Sequence, residues 1–370
     1  MKLSLILFCI LYLPFILIGQ EKVNQPFFVG TFTSEGAEGI YRLNFDPSSG
    51  KITSGQVFKG VDNPNFLKKS PDGSYLYVVT RPRPEVDPLG GSVAAYRINR
   101  QGGIEFINKQ TSHGNGPCYV DISADGKWVA VANYGGGSVA VYPVGEGGAL
   151  MPATGIVKHK GSGPDKARQN EPHAHSIVFS GDGNTLYAAD LGTDQLLVYQ
   201  LNKETGMLSP ADQPHVMMPP GSGPRHFAFT SDERWAYVAN ELLSTVSVLE
   251  RKNGRLEVVQ TLSALPEGYA GTSYCADIHL SNDEQFVYVS NRGHQSIAVY
   301  KRGADGRLLL LSTAPVQGDW PRNFAIDPSG RYLLVANQRS HNITVFRLKN
   351  GIPEYTGEEY KVPAPVCIEF

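Results

Sequence analysis

Short apolar segments alternate with polar turns along almost the whole chain. A typical unit begins with a short segment after a proline, passes a turn such as Ser-Pro-Asp-Gly at residues 70–73, and continues in an apolar run such as residues 128–133. A polar loop follows, and then an alternating segment such as Ser-Val-Ala-Val-Tyr at residues 138–142. Short alternating runs bounded by Gly, Asp and Pro predict β-strands joined by tight turns.

This unit recurs six times, and successive copies start 46 to 55 residues apart. The copies begin at Pro64, Pro117, Pro172, Pro224, Cys275 and Pro321, with turns at residues 70–73, 123–126, 180–183, 230–233, 281–284 and 327–330. A period near fifty that is built from strands and turns is typical of a β-propeller, in which each repeat forms a blade of four antiparallel strands. The chain is therefore predicted to be all-β.

The two chain ends supply a seventh blade. Residues 27–31 resemble the second strand of a blade and residues 39–43 the third, whereas the missing first strand resembles residues 365–370. We expect the C-terminal strand to complete the N-terminal blade, which closes the ring and removes the open strand edges that invite aggregation. The prediction is one domain, residues 26–370, forming a seven-bladed β-propeller of four-stranded antiparallel blades.

The first twenty residues differ from the repeats. Lys2 precedes an apolar run that extends to Ile18 and is followed by Gly19 and Gln20. One positive charge, an apolar run and a small residue are typical of a secretory signal peptide. We expect residues 1–19 to be removed and the protein to be exported to the periplasm or the extracellular space, without a stable membrane span. An N-terminal membrane anchor is the alternative.

Composition narrows the classes of function. The formal net charge is −2 and charged residues make up 18% of the chain, so no global field recruits nucleic acid, and any anion recognition must be local. Removal of residues 1–19, which include Cys9, leaves Cys118, Cys275 and Cys367, and this odd number at wide spacing argues against a disulfide framework. No paired Cys/His spacing indicates a metal site, and no cofactor is expected.

Propeller topology brings two positions of every blade to one face of the ring, around the central channel. These are the residue after the opening proline and the residue after the second strand. They place His173, Arg225, Glu241 and Arg292 on three consecutive blades. Charged groups that converge on a channel mouth form a candidate catalytic site. The alternative is a structural Arg–Glu network that joins adjacent blades.

Arg168, His175 and Arg322 are candidates for substrate binding. Arg322 follows the opening Pro321, and His175 lies two residues after His173. Arg168 belongs to a long basic excursion after Gly-Ser-Gly-Pro at residues 161–164, a string that recurs at residues 221–224. Backbone amides of such loops can form anion-binding concavities. The alternatives are flexible turns for the two loops and a buried core position for His175.

Three strings carry a family resemblance. They are Asn-Glu-Pro-His-Ala-His-Ser at residues 170–176, Gly-Pro-Arg-His-Phe at 223–227 and Ala-Asn-Glu-Leu at 239–242. With them the chain resembles the lactonase family of seven-bladed propellers, which includes the bacterial propeller-type 6-phosphogluconolactonase and the fungal carboxymuconate lactonizing enzyme. The resemblance extends over about residues 26–370. It implies that His173, Arg225, Glu241 and Arg292 carry the activity.

The resemblance implies a carboxylic ester hydrolase, most like 6-phosphogluconolactonase, that opens an anionic small-molecule lactone to its sugar acid. We expect His173 to be the base, because a histidine pKa near 6.5 suits that role, whereas a neighbouring Arg225 lowers the pKa of Glu241. Exchange of these two roles stays open. Arg225 and Arg292 would bind the substrate anion or the developing oxyanion.

Two other functions remain open. One is a non-catalytic exported propeller that binds a glycan or a protein partner, since the fold hosts both kinds of function. The other is a lactonizing enzyme of the carboxymuconate type. Export departs from the family pattern, because 6-phosphogluconolactonase serves cytosolic sugar metabolism.

Overall fold

The computed structural model describes residues 24–82 and 90–370, so the predicted signal peptide lies outside the described residues. The described chain forms 28 strands and two short 3-10 helices, Thr33–Glu35 and Glu146–Gly148. The first fourteen strands are β1 (Gln25–Thr31), β2 (Gly39–Asp46), β3 (Lys51–Lys59), β4 (Pro64–Lys69), β5 (Tyr75–Thr80), β6 (Ser92–Ile98), β7 (Ile104–Thr111), β8 (Pro117–Ile122), β9 (Trp128–Asn133), β10 (Ser138–Pro143), β11 (Gly155–Lys158), β12 (Ala174–Phe179), β13 (Thr185–Asp190) and β14 (Gln195–Leu201). The others are β15 (Leu208–Met217), β16 (Pro224–Phe229), β17 (Trp235–Asn240), β18 (Thr245–Lys252), β19 (Arg255–Ser263), β20 (Tyr274–Leu280), β21 (Phe286–Arg292), β22 (Ser296–Arg302), β23 (Leu308–Pro315), β24 (Pro321–Ile326), β25 (Tyr332–Asn337), β26 (Asn342–Lys349), β27 (Ile352–Lys361) and β28 (Pro365–Glu369).

These strands form seven antiparallel sheets of four strands each. Blade 1 has the strand order β28-β1-β2-β3, and blades 2 to 7 follow along the chain as β4–β7, β8–β11, β12–β15, β16–β19, β20–β23 and β24–β27. The first strand of each sheet contacts the first strands of its two neighbours around the channel. The predicted seven-bladed all-β propeller is confirmed.

The C-terminal strand closes the ring. β28 pairs antiparallel with β1, with Val29 opposite Ile368 and Gly30 opposite Cys367. β28 also contacts the inner strands β4 and β24 of the adjacent blades. The inner edge of the N-terminal blade is therefore covered by the C-terminus, as the sequence predicts.

Apolar residues fill the space between consecutive blades. Second strands are almost entirely buried, whereas outer strands such as β3 are largely exposed. Between blades 5 and 6, Trp235 and Tyr237 pack against Val287 and Tyr300. No helix among the described residues is long and apolar enough to cross a membrane.

The turn that recurs in each repeat, with the sequence Ser-Pro-Asp-Gly in blade 2, connects the inner strand to the second strand. In blade 2, the Ser70 hydroxyl donates to Asp72 at 2.5 Å and accepts the Tyr75 amide at 2.9 Å. Gly73 has φ +70°, a conformation that glycine adopts without a steric penalty. This local chemistry explains why the turn is the most regular part of the repeat.

Candidate active site

A β-bulge near the start of the inner strands directs side chains into the channel. In blade 5, Pro224 lies opposite Asn240 but His226 lies opposite Ala239, so Arg225 is left without a partner in the ladder. The same shift in blade 7 leaves Arg322 unpaired with β25. Bulges bend a strand and re-aim its side chains, so the residue after the proline faces the channel.

In blade 4 this register differs from the expected one. Ala174 lies opposite Asp190 and Ser176 opposite Ala189, so His175, not His173, is the bulged residue. His173 precedes the strand at the position that Gly223 has in blade 5. The long excursion before blade 4 moves the proline two residues away from the strand start. The prediction that His173 and Arg225 are equivalent positions is therefore wrong, although both lie at the same end of their blades.

Glu241 is the centre of the charged cluster. It follows β17 and is only 4% exposed. Its Oε2 lies 3.1 Å from Nε of Arg225 and 2.8 Å from Nη2 of Arg292, and its Oε1 accepts a hydrogen bond of 2.7 Å from Nη2 of Arg168. The structure thus joins four of the predicted site residues, from two blades and one loop, in a single ion-pair network.

The network fixes the charge of its carboxylate. Burial alone would raise the pKa of Glu241, but Arg292, Arg225 and Arg168 lower it to about 2. Burial, with Arg292, lowers the pKa of Arg225 to about 10 in spite of Glu241. Glu241 and Arg225 therefore remain charged at neutral pH. A carboxylate with so low a pKa is a weak proton acceptor.

Arg168 enters the site from the excursion between β11 and β12. Its backbone is fixed by a turn in which its amide donates to Asp165. Its guanidinium donates to the hydroxyl of Tyr134 at 3.3 Å and lies 5.9 Å from the ring centroid of Tyr274. Arg168 is one-third exposed, so it links the buried carboxylate to the surface of the mouth.

His173 lies next to this network and is half-buried. Its imidazole stacks on the ring of Tyr134 with centroids 4.4 Å apart, and its Nδ1 lies 2.9 Å from the backbone carbonyl of Tyr134. A carbonyl only accepts hydrogen bonds, so Nδ1 carries a proton, and in the neutral ring the lone pair is then on Nε2. This tautomer is the one that a general base requires.

A buried pair positions the backbone of His173. Oδ1 of Asp190 accepts the amides of His173 and Gly192, both at 2.9 Å, and its Oδ2 lies 2.6 Å from Nδ1 of His159. Asp190 and His159 are buried. The buried carboxylate of Asp190 therefore holds the backbone of the loop that carries His173.

His175 lies deeper in the channel than His173. It is buried, with its ring 5.3 Å from Tyr134 and 5.4 Å from His226. Burial, followed by the nearby Arg225, lowers its pKa well below the usual value, so the ring is neutral. These contacts favour the core interpretation of His175 over direct substrate contact.

The two Gly-Ser-Gly-Pro loops bind groups of the protein itself. Oδ2 of Asp194 accepts the Gly221 amide at 2.6 Å, and its Oδ1 accepts the Gly223 amide at 2.8 Å and the Gln169 side chain at 2.7 Å. In the first loop, the Gly163 amide donates to the backbone carbonyl of Gln169. The interpretation of the second loop as a substrate-anion site is wrong, because an internal carboxylate already occupies these amides.

Arg322 differs from the other arginines at the mouth. No carboxylate of the described residues pairs with it, and its guanidinium carbon lies 5.4 Å from the ring centroid of Phe32. Burial, together with Arg225 and Arg292, lowers its pKa to about 9. Arg322 is therefore a half-buried cation that keeps its hydrogen-bonding groups available.

Sequence reasoning missed Tyr134, Asp190 and Asp194. Tyr134 follows the second strand of blade 3 and was visible in the repeat, but nothing in the sequence shows that it contacts both His173 and Arg168. The two aspartates act through loop backbones, which the repeat does not describe. Within residues 24–82 and 90–370, no cluster of three or more His, Cys, Asp or Glu side chains is arranged to hold a metal ion.

Comparisons with known proteins agree with this architecture. The family described as "Lactonase, 7-bladed beta-propeller" matches residues 26–370. A 6-phosphogluconolactonase of Bacillus subtilis is 35% identical over 349 residues, which cover 93% of this chain and 97% of the relative. A 6-phosphogluconolactonase of Formosa agariphila is 37% identical over 350 residues, 92% of this chain and 96% of the relative.

Solved structures give the same picture. The periplasmic gluconolactonase of Pseudomonas aeruginosa superposes with a TM-score of 0.88 at 35% identity, covering 94% of this chain and 99% of that one. A putative 6-phosphogluconolactonase of Bacteroides fragilis has a TM-score of 0.86, also at 35% identity, and covers 94% and 98%.

Proposed function

This chain belongs to the lactonase family of seven-bladed β-propellers, and on that premise we propose that it hydrolyses an anionic sugar lactone to the sugar acid at the mouth of its central channel. The enzyme class is a carboxylic ester hydrolase. Relatives named 6-phosphogluconolactonase and gluconolactonase support a six-carbon aldonolactone as the substrate class.

The observation that carries the proposal is the excess of positive charge at the mouth. Arg168, Arg225, Arg292 and Arg322 lie around the single carboxylate of Glu241, although the whole chain has a net charge of −2. A cationic group in a partly desolvated recess attracts an anion far more strongly than one in water. The local field therefore supports a substrate that carries a phosphate or a carboxylate.

His173 is the proposed general base. Its free Nε2 takes a proton from water, the resulting hydroxide adds to the lactone carbonyl carbon, and a tetrahedral oxyanion forms. Collapse of this intermediate breaks the ring C–O bond, and the departing alkoxide recovers the proton from the imidazolium. A positioned base of this kind contributes roughly 10²–10⁴-fold to the rate.

Glu241 is proposed to orient the arginines, since its pKa of about 2 makes it a poor base. Arg225 and Arg292 are held by Glu241 before substrate binds, which gives a preorganised positive field for the oxyanion. Arg322 has no such carboxylate partner among residues 24–82 and 90–370, so we assign it the anionic substituent of the substrate. His175 is left in a supporting position in the channel.

The test is a pH-stat assay of base uptake with glucono-, 6-phosphoglucono- and muconolactones. We expect the highest kcat/KM for the phosphorylated lactone, and a lower value for the uncharged one because it lacks a partner for Arg322. No hydrolysis of any lactone above the spontaneous rate would favour the non-catalytic propeller that binds a glycan or a protein. A preference for muconolactone would favour the carboxymuconate type.

We also propose that the protein is exported. The apolar segment at residues 1–19 supports a signal peptide, and the similar gluconolactonase of Pseudomonas aeruginosa is described as periplasmic. Mass spectrometry of the protein from its native host should show a mature N-terminus near Gln20. Full-length protein recovered from the cytosol would contradict export.

A further inference from the structure

A series of buried polar contacts joins the inner strands of neighbouring blades, starting from Arg225 of the charged cluster. Nδ1 of His226 lies 2.7 Å from Oδ1 of Asp277, and its Nε2 lies 3.2 Å from Nη1 of Arg225. A carboxylate only accepts hydrogen bonds and a guanidinium only donates them. The ring is therefore a neutral imidazole that donates through Nδ1 to Asp277 and accepts through Nε2 from Arg225.

Asp277 is itself fixed from several sides. Its Oδ2 accepts the side-chain amide of Asn323 at 2.5 Å and lies 2.9 Å from Nε2 of His279. Oδ1 of Asn323 in turn accepts the backbone amide of Ile368 at 2.7 Å. The chain of contacts thus runs through the inner strands of blades 5, 6, 7 and 1, and ends on the strand that closes the ring.

The charges of these groups agree with this direction of hydrogen bonding. Burial, followed by the adjacent Arg225, lowers the pKa of His226 to about 4 in spite of its contact with Asp277. Burial would raise the pKa of Asp277, but His279 and His226 hold it far below its usual range. A neutral ring between an anion and a cation is thus the stable state at neutral pH.

We propose that His226 and Asp277 form a positioning pair that acts through Arg225. The pair provides Nη1 of Arg225 with an acceptor, so that Nε of the same guanidinium stays on Glu241. Nη1 also donates to the backbone carbonyl of Ala276, so loss of the ring acceptor removes one of its two hydrogen bonds and lets the guanidinium turn toward that carbonyl and away from Glu241. This inference rests on the proposed lactone hydrolysis, because Arg225 belongs to the site proposed for it.

Two amide substitutions separate positioning from simple packing. In His226→Gln, the amide lies about as far from the backbone as ring Nε2, so its oxygen can accept from Arg225. In His226→Asn, the shorter amide takes the place of Nδ1, which keeps a donor for Asp277 but removes the ring acceptor of Arg225, so that Nη1 keeps the carbonyl of Ala276 and loses the contact with residue 226. The two variants are therefore complementary: His226→Gln keeps the acceptor for Arg225 and gives up the donor to Asp277, whereas His226→Asn keeps the donor to Asp277 and gives up the acceptor for Arg225.

The experiment measures kcat, KM and melting temperature for both variants with 6-phosphogluconolactone. We expect His226→Asn to lower kcat by roughly 10–100-fold, the cost of losing one charge-assisted contact. KM should change little because Arg322 is unaffected, and His226→Gln should recover most of kcat. Equal kcat in the two variants, with only the melting temperature lowered, would overturn the proposal and leave the pair as a structural joint between blades 5 and 6.

A crystal structure of His226→Asn provides a measurement that does not depend on turnover. The proposal expects Nε of Arg225 to leave its 3.1 Å contact with Glu241. A guanidinium that has not moved would overturn the positioning role even if the enzyme is active. If the unsubstituted protein hydrolyses no lactone, the proposed function fails, but the displacement of Arg225 still decides the structural claim.

Discussion

The two sides of the channel mouth use their charges differently. On the side formed by blades 4 to 6, Glu241 pairs with Arg168, Arg225 and Arg292 at distances of 2.7 to 3.1 Å. On the side formed by blades 7 and 1, Arg322 lies over the ring of Phe32 and pairs with no carboxylate in the part of the chain that the structure describes. The first side is organised before any ligand binds, whereas the second keeps a cation available for one.

The difference follows from the cost of burying charge. A buried ion is costly unless it is paired, and Glu241 provides the counter-ion for Arg225 and Arg292. On the other side, Glu35 is hydrogen-bonded to the neutral side-chain amide of Gln338 at 2.8 Å. Paired charges suit a preorganised reaction field, and the free cation suits recognition of a substrate anion.

Removal of the central carboxylate is expected to have the largest effect on the paired side. Glu241→Gln leaves three guanidiniums without their common counter-ion, two of them buried. Breaking a buried ion pair costs about 3–5 kcal/mol of folding free energy, and we expect kcat to fall by roughly 10²–10⁴-fold. Urea unfolding and pH-stat kinetics measure the two effects.

Glu35→Gln is the matched control on the other side. Glu35 is exposed and bonded to a neutral amide, so the substitution should change stability by no more than about 0.5 kcal/mol. Equal loss of stability in both variants would show that the two sides do not differ in the way described.

Removal of the proposed base should reduce catalysis without unfolding the protein. In His173→Ala the backbone amide still donates to Asp190, so the loop keeps its position. We expect kcat to fall by roughly 10²–10⁴-fold with a nearly unchanged melting temperature. His215→Ala, an exposed histidine on the outer strand of the same blade, is the control. Unchanged turnover in His173→Ala would end the assignment of the base.

Arg322 tests the unpaired side. Arg322→Gln removes the free cation but breaks no ion pair within the described residues, so stability should be retained. Losing one charge-assisted contact to a phosphate should raise KM for 6-phosphogluconolactone by roughly 10–100-fold, whereas KM for uncharged gluconolactone stays within experimental error. A parallel increase for both lactones would mean that Arg322 does not recognise the anion.

The sequence predicts most of the fold because turn chemistry and strand alternation repeat in every blade. Closure by β28 is predictable for the same reason, since residues 365–370 supply the strand that blade 1 lacks. The charged cluster of Arg225, Glu241 and Arg292 follows from the repeat as well. It is predictable because each residue stands at a fixed position relative to a strand end.

The rest of the site depends on loops and is not predictable from the repeat. The excursion before blade 4 displaces Pro172 from the strand start. His175 therefore has the bulged position expected for His173, and His173 lies before the strand. The Gly-Ser-Gly-Pro amides at residues 221–224 look available for a ligand until Asp194 is placed against them. A side chain that reaches a loop from a neighbouring turn leaves no periodic signal in the sequence.

Acid titration is expected to give the smallest effect and to probe the paired side alone. The folded pKa of Glu241 is about 2, below its ordinary value of 4.5, so ionisation of this group stabilises the fold. That contribution is fully present above about pH 4.5 and is lost as the pH falls toward 2, because the folded state must then bind a proton that the unfolded state already holds. The melting temperature of the unsubstituted protein should therefore decrease between pH 4.5 and 2 more steeply than that of Glu241→Gln, which lacks the titrating group. The difference between the two curves isolates Glu241 from the exposed carboxylates, which titrate in both proteins. Parallel curves would mean that the three arginines do not hold this carboxylate ionised, and the contrast between the two sides of the mouth would then disappear.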